Sequence, residues 1–175
     1  MAISPEIILI AGPNGAGKTT FVNQLLQPEI ESLTYVNADE IALEYHDLTP
    51  TERNIKAGRA MLSAIDNLTS QRQEIMIETT LATLTYARKI PQWQKIGYHV
   101  SVMYLRLPSA DIAVERVRQR VAAGGHNIPE DDIRRRFDRG WHYLKHRYIP
   151  IVDYWSIWEA DGEGSFTCKR ASGNE

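Results

Sequence analysis

The run Gly12-Pro13-Asn14-Gly15-Ala16-Gly17-Lys18-Thr19 fits the spacing Gly-x-x-x-x-Gly-Lys-Thr. Glycines at these places let backbone N–H groups turn inward onto phosphate oxygens, and a helix N-terminus behind them adds positive potential. In this reading Gly12, Asn14, Gly15, Ala16 and Gly17 form the cradle, and Lys18 reaches the outer phosphates. Thr19 places its hydroxyl on Mg²⁺, and Thr20 completes the nucleotide-binding set. The context agrees: Ile7-Ile8-Leu9-Ile10 reads as a strand buried on both faces, and a helical pattern opens at Lys18. The ligand expected is a nucleoside triphosphate. The alternative, a glycine-rich strand-to-helix turn without a ligand, explains the glycines but not the Lys-Thr pair.

Ligands of open α/β sheets bind at the carboxyl ends of the strands, which directs attention to two further polar strand ends. One is Asn37-Ala38-Asp39-Glu40 and the other Glu78-Thr79-Thr80. Phosphoryl transfer to a hydroxyl needs a positioned carboxylate to accept the proton, together with Mg²⁺ against the β and γ oxygens. Asp39 suits the proton acceptor; its alternative is an N-cap for a helix starting near Glu40. Glu78 follows Ile75-Met76-Ile77 in the manner of a Walker-B element, and equally suits an acid that binds substrate. A solvated strand end is its simpler alternative, disfavoured because burial without a partner is costly.

A third group is cationic. Arg116, Arg118 and Arg120 precede the Gly124-Gly125 pair, and Arg134, Arg135, Arg136 and Arg139 follow it. Arg116 and Arg120 share one helix face, as do Arg135 and Arg139. The glycine pair reads as a hinge and residues 116–148 as a lid whose guanidinium groups neutralise charge as the phosphoryl group leaves. Arg120 is assigned that catalytic role, and Arg116, Arg120 and His126 are assigned to the nucleotide. For any single arginine the simpler reading is a solvated face paired with Glu115, Glu130, Asp131 or Asp132. Trp141, Tyr143, Tyr148, Trp155 and Trp158 read as packing rather than base-stacking platforms. His99 and His142 have no metal-ligand spacing.

These groups need a scaffold. Strands are expected at Ile7–Ile10, Leu33–Asn37, Glu74–Glu78, His99–Leu107 and Tyr154–Trp158. Helices are expected at Lys18–Leu26, Thr51–Leu68, Tyr86–Lys95, Ser109–Ala122 and Glu130–Tyr148. Their alternation predicts parallel strands joined by right-handed crossovers, hence a three-layer α/β fold. Thr49 or Thr51 around Pro50, and Ser109, are the N-cap candidates. The tail after Gly162 reads as frayed or as a short edge strand.

A length of 175 residues suits one domain. The net charge of -2 argues against bulk nucleic-acid binding, so any phosphate recognition must be local. The single cysteine, Cys168, allows no internal disulfide, and no apolar run approaches the ~20 residues of a membrane span. With a Met-Ala-Ile-Ser-Pro start unlike a signal peptide, a cytosolic protein with neither membrane nor nucleic-acid partners is expected.

Taken in order, Ala11 through Thr20, Asn37-Ala38-Asp39, Glu78-Thr79-Thr80-Leu81, and Gly124-Gly125-His126-Asn127-Ile128-Pro129-Glu130 with Arg134-Arg135-Arg136-Phe137 resemble the zeta toxin family of P-loop kinases. The likeness spans about Pro5 to Glu159 and marks a compact member. It implies a P-loop NTPase fold with a mostly parallel five-stranded sheet and a helical, arginine-rich lid. It also implies an ATP- or GTP- and Mg²⁺-dependent kinase acting on a hydroxyl of a sugar nucleotide or related small metabolite. The characterised toxins phosphorylate UDP-N-acetylglucosamine and are held inactive by a small helical antitoxin. Carried over by position, Asp39 is the general base, and Glu78 and Thr80 bind the acceptor. Two positions depart from the pattern: Ala82 stands where the Glu-x-Thr-Leu-Arg motif has its arginine, and His126 where an arginine precedes the proline by three residues. Both bear on the acceptor more than on the phosphate loop. Two rivals remain. One is a polynucleotide or antibiotic kinase on the same scaffold. The other is a nucleotide-dependent switch, which needs neither a carboxylate base nor a second-substrate pocket.

Overall fold

The computed structural model describes residues 4–26, 32–160 and 164–173. The chain runs through β1 (Glu6–Ala11), α1 (Lys18–Phe21), β2 (Thr34–Val36), α2 (Ala38–Ala42), α3 (Pro50–Ser70), β3 (Ile75–Thr79), α4 (Thr85–Lys95), β4 (His99–Arg106), α5 (Ala110–Ala122), α6 (Glu130–Tyr143), β5 (Tyr154–Ala160) and β6 (Phe166–Ala171). The strands form one sheet in the order β2-β3-β1-β4-β5-β6, parallel throughout except for β6, which pairs antiparallel with β5.

The apolar run at the N-terminus becomes the central strand because only there are both of its faces covered. Ile7 through Ala11 are all buried. Alternate side chains of β1 point to opposite faces. Ile7 and Leu9 join one core with Met61 and Ile65 of α3 and Ile90 and Trp93 of α4. Ile8 and Ile10 join another with Phe21 of α1, Val114 and Val117 of α5 and Ile133 of α6. Each fully buried Ile or Leu contributes about 1.5–3 kcal/mol, so the two faces together fix β1 in place. The chain passes from β1 to β2 and β3 on one side, then crosses to β4 on the other. Strand order therefore reverses at β1, and a crevice opens at its carboxyl end.

Local chemistry sets the helix ends. Thr49 and Glu52 form a reciprocal capping box with Pro50 in the first turn of α3, and Ser109 Oγ accepts from the Ile112 N–H at 3.3 Å to start α5. Both cap positions were among those expected. The Gly124-Gly125 pair, expected as a hinge, ends α5. Gly125 N–H donates to Arg120 O and Gly124 N–H to Val121 O, each at 2.9 Å, with Gly124 at φ 92°. α1 and α6 each continue into a π-helical turn, Val22–Leu26 and Leu144–Tyr148. Leu144 and Tyr148 are fully buried, and the Tyr148 hydroxyl donates to Thr83 O at 2.7 Å. The end of the span read as a lid thus lies in the core.

The expected five strands are present, and the sheet has a sixth. The tail that read as frayed or as an edge strand is the edge strand β6, while Gly162 lies outside the described residues. No helix among the described residues is long and apolar enough to cross a membrane.

Candidate active site

The loop after β1 is shaped by close backbone approach. Gly12 sits at φ 147°, and a Cβ there would lie 2.5 Å from Leu105 O at the end of β4. Gly15, at φ 80°, packs on α5, where a Cβ would lie 3.0 Å from both Ala113 O and Arg116 Cβ. Only glycine fits at either place. The Arg116 guanidinium donates to Gly15 O at 3.3 Å, bracing the loop from outside, and Ala16 N–H closes a turn onto Pro13 O at 3.2 Å. Ala16 is buried, and Gly17 lies against the Phe166 ring of β6. Asn14 is buried and accepts a long, 3.5 Å contact from Arg136.

Lys18 is 8% exposed, and its ammonium donates to Gly12 O at 3.0 Å and Pro13 O at 3.1 Å. The sequence offered no partner for this lysine; the structure supplies two carbonyls, and Glu78 Oε1 lies 4.0 Å away. Burial pushes the ammonium below the usual lysine range. Glu78 and Asp39 pull it back up, while Arg120 and Arg136 add to the depression. All four charges are therefore within electrostatic reach of Lys18.

Glu78 ends β3 and gathers donors. The Thr19 hydroxyl donates to its Oε2 at 3.1 Å, the Tyr35 hydroxyl of β2 donates to the same oxygen, and the Asn37 amide approaches at 3.4 Å. Glu78 is thus neither a solvated strand end nor free in the cleft; it faces the phosphate loop. Burial and the Glu78 carboxylate both raise the Tyr35 hydroxyl pKa, which keeps it a donor. Thr20 is exposed beside Thr19.

Asp39 does not cap a helix. The cap of α2 is Asn37, whose side-chain oxygen accepts from the Asp39 N–H at 2.9 Å, and α2 starts at Ala38 rather than near Glu40. Among the described residues no hydrogen bond or ion pair engages the Asp39 carboxylate.

A cleft of about 570 Å³ adjoins the loop and contains Asp39, Glu78, Thr80 and Lys18. One wall is α3 and the other is α6, which presents Asp132, Arg135, Arg136 and Arg139; His126 and Ala82 also line it. α6 comes this close to β3 because Gly140 packs on the strand end, where a Cβ would lie 2.4 Å from Thr80 O.

The arginines divide. Arg118 and Arg134 pair with Glu130, and Arg134 also with Asp111, in keeping with the surface-pair reading, while Arg135 pairs with Asp132 within the cleft lining. Arg120 is exposed outside the cleft lining and donates to His126 O at 3.2 Å. Arg136 and Arg139 lie in the lining. The sequence contained a signal for them, since Asp132, Arg136 and Arg139 are spaced four and three apart, a single helical stripe. Arg59 and Asn54 of α3 also line the cleft, and nothing in the sequence pointed to them. Arg88, near Ala82 in sequence, does not line it.

A Gly-x-x-x-x-Gly-Lys-Thr loop between a central parallel strand and a helix, at the point where strand order reverses, defines a P-loop NTPase fold. The chain belongs to the zeta toxin family, whose model matches residues 2–150. It shares 26% identity with an uncharacterised protein of Haemophilus influenzae over 132 residues, 75% of this chain and 92% of that relative. Among solved structures it is similar to a chain of the PezAT chromosomal toxin–antitoxin system of Streptococcus pneumoniae, with TM-score 0.72 and 21% identity over 99% of this chain and 74% of that one. It also resembles a chain of the AvrRxo1-ORF1:AvrRxo1-ORF2 complex with ATP, with TM-score 0.71 and 14% identity over 97% of this chain and 59% of that one. A third likeness is deoxyadenosine kinase of M. mycoides with bound dATP, with TM-score 0.54 and 18% identity over 90% and 91% of the two chains.

Proposed function

We propose that this protein is a kinase that transfers the γ-phosphoryl group of ATP or GTP to a hydroxyl of a sugar nucleotide or related small metabolite. The observation that carries the reading is the unengaged Asp39 carboxylate in the same cleft as Lys18 and the phosphate loop. A switch needs neither that carboxylate nor a cleft beside the γ-phosphate; a kinase needs both.

The acceptor hydroxyl gives its proton to Asp39 as its oxygen forms a bond to the γ-phosphorus, and the bond from that phosphorus to the β-γ bridging oxygen breaks to release the nucleoside diphosphate. Lys18 exchanges the carbonyls of Gly12 and Pro13 for phosphate oxygens when the nucleotide arrives. Arg136 lines the cleft and Arg120 does not, so Arg136 takes the role of steadying the transferred group, with Arg116 and Arg120 on the nucleotide side. Thr80 and His126 face the acceptor. Thr19 and Glu78 offer two hard oxygen donors 3.1 Å apart, a set that suits Mg²⁺. The ion, when bound, neutralises charge on the β and γ oxygens. Glu78 therefore serves the metal side of the site more than the acceptor side. The likeness to a toxin–antitoxin chain supports a small antitoxin as partner, and a cytosolic setting supplies both nucleotide and acceptor.

The test is to incubate the protein with γ-labelled ATP, Mg²⁺ and the small-molecule fraction of a bacterial extract, and to separate the labelled products. A labelled, phosphatase-sensitive metabolite is expected. Release of inorganic phosphate alone would point to the switch.

A further inference from the structure

α3 is a 21-residue helix, and Gly58 stands in its middle. Glycine there weakens a helix relative to alanine, through backbone entropy and lost side-chain packing. Among the described residues every other glycine has a reason to be one. Gly12, Gly15, Gly17, Gly97, Gly124, Gly164 and Gly173 have φ between 80° and 147°, and a Cβ on Gly125 or Gly140 would lie 2.7 Å or 2.4 Å from a neighbour. Gly58 has neither. Its φ is an ordinary helical one, and a Cβ there would meet no heavy atom within 4 Å outside its own stretch of helix. Nothing inside the protein forbids a side chain at this position.

What Gly58 does have is a place in the wall of the cleft. It lies between Asn54 and Leu62, one helical turn away on either side, with Arg59 next to it and Met61 and Tyr86 nearby. Arg59 makes no ion pair among the described residues. We infer that Gly58 keeps the α3 wall bare so that the body of the acceptor can lie against the helix backbone, and that it thereby sets the size of acceptor the cleft admits. The apolar surface of Met61, Leu62 and Tyr86 covers the bulk of that molecule, Asn54 supplies a hydrogen bond, and Arg59 takes an anionic group if the acceptor carries one. The role rests on the kinase reading and concerns only the acceptor; the nucleotide is held by the loop on the other side of Asp39.

The experiment compares wild type, Gly58→Ala and Gly58→Leu, both replacements being strong helix formers. Each is measured three ways: melting temperature, affinity for a fluorescent ATP analogue, and label transfer from γ-labelled ATP to the small-molecule fraction of a bacterial extract. Gly58→Ala is expected to raise the melting temperature by about 2–4 °C and to leave analogue affinity within about twofold. It should lower transfer by about tenfold, and Gly58→Leu should lower it further. A variant that is stabilised, binds the nucleotide and fails to transfer is not explained by a structural role. Transfer unchanged in both variants overturns the inference and leaves the kinase reading standing. No transfer by wild type overturns both.

Discussion

The two halves of the site are built differently. The phosphate loop is made of backbone, and it is held from outside by groups that leave no space: Leu105 O against Gly12, and Ala113 and Arg116 against Gly15. The cleft proposed for the acceptor is made of side chains that α2, α3, β3 and α6 bring together from distant parts of the chain, and its wall at Gly58 is open. A site made of close-packed backbone has one shape and accepts little change. A site made of side chains on helix faces is retuned by single substitutions, which lets one fold serve different ligands.

The contrast can be broken most directly at Lys18. Lys18→Ala is expected to lower transfer by about 10³-fold or more with the circular dichroism spectrum unchanged, because the core does not depend on its two carbonyl contacts. Wild-type turnover in a folded variant would remove the loop from the mechanism. Asp39→Asn, on the acceptor side, should lower transfer by roughly 10²- to 10⁴-fold while nucleotide affinity stays near wild type. Since Asn37 is the cap of α2, helix stability is not expected to change, and full activity would mean that another group takes the proton.

Glycine substitutions then sharpen the comparison. Gly12→Ala should destabilise the protein by about 1–3 kcal/mol through backbone strain and collision with Leu105 O, and nucleotide binding should fall with it. Calorimetry that finds Gly12→Ala as stable as wild type would mean that the loop is far less constrained than its contacts imply. At Ala82 the effect expected is a gain rather than a loss. An arginine there that reaches an acceptor phosphate contributes about 1.5–3 kcal/mol, so Ala82→Arg should raise kcat/KM for UDP-N-acetylglucosamine by roughly ten- to a hundred-fold from a low wild-type value. Efficient wild-type turnover that the substitution does not improve would show that this position does not govern acceptor choice.

The same contrast explains what was legible in the sequence. The loop, its strand and the caps at Thr49 and Ser109 are local, and residue type at fixed spacing identifies them. Asp39 and Glu78 are legible as candidates because parallel strands deliver their ends to one edge of the sheet, and both line the cleft. The partners of Glu78 are not legible, since Tyr35 and Thr19 meet it only through strand order. Arg59 lies on a helix with no motif, and only the approach of α6 makes it part of a cleft. The strand β6 was ambiguous because most of Phe166–Ala171 is exposed and carries no clear apolar alternation. The Gly124-Gly125 pair breaks the helical pattern, but the hydrogen bonds by which it ends α5 are not displayed by the sequence.

Gly12 rests on the carbonyl of Leu105, and β1 takes both its neighbours, β3 and β4, from later in the chain. During translation the glycine-rich segment leaves the ribosome before β4 and has no seat until that strand has followed it out. The loop therefore cannot close around Gly12 until β4 is in place. The moment at which the loop gains its seat is set by sheet order rather than by the position of the motif.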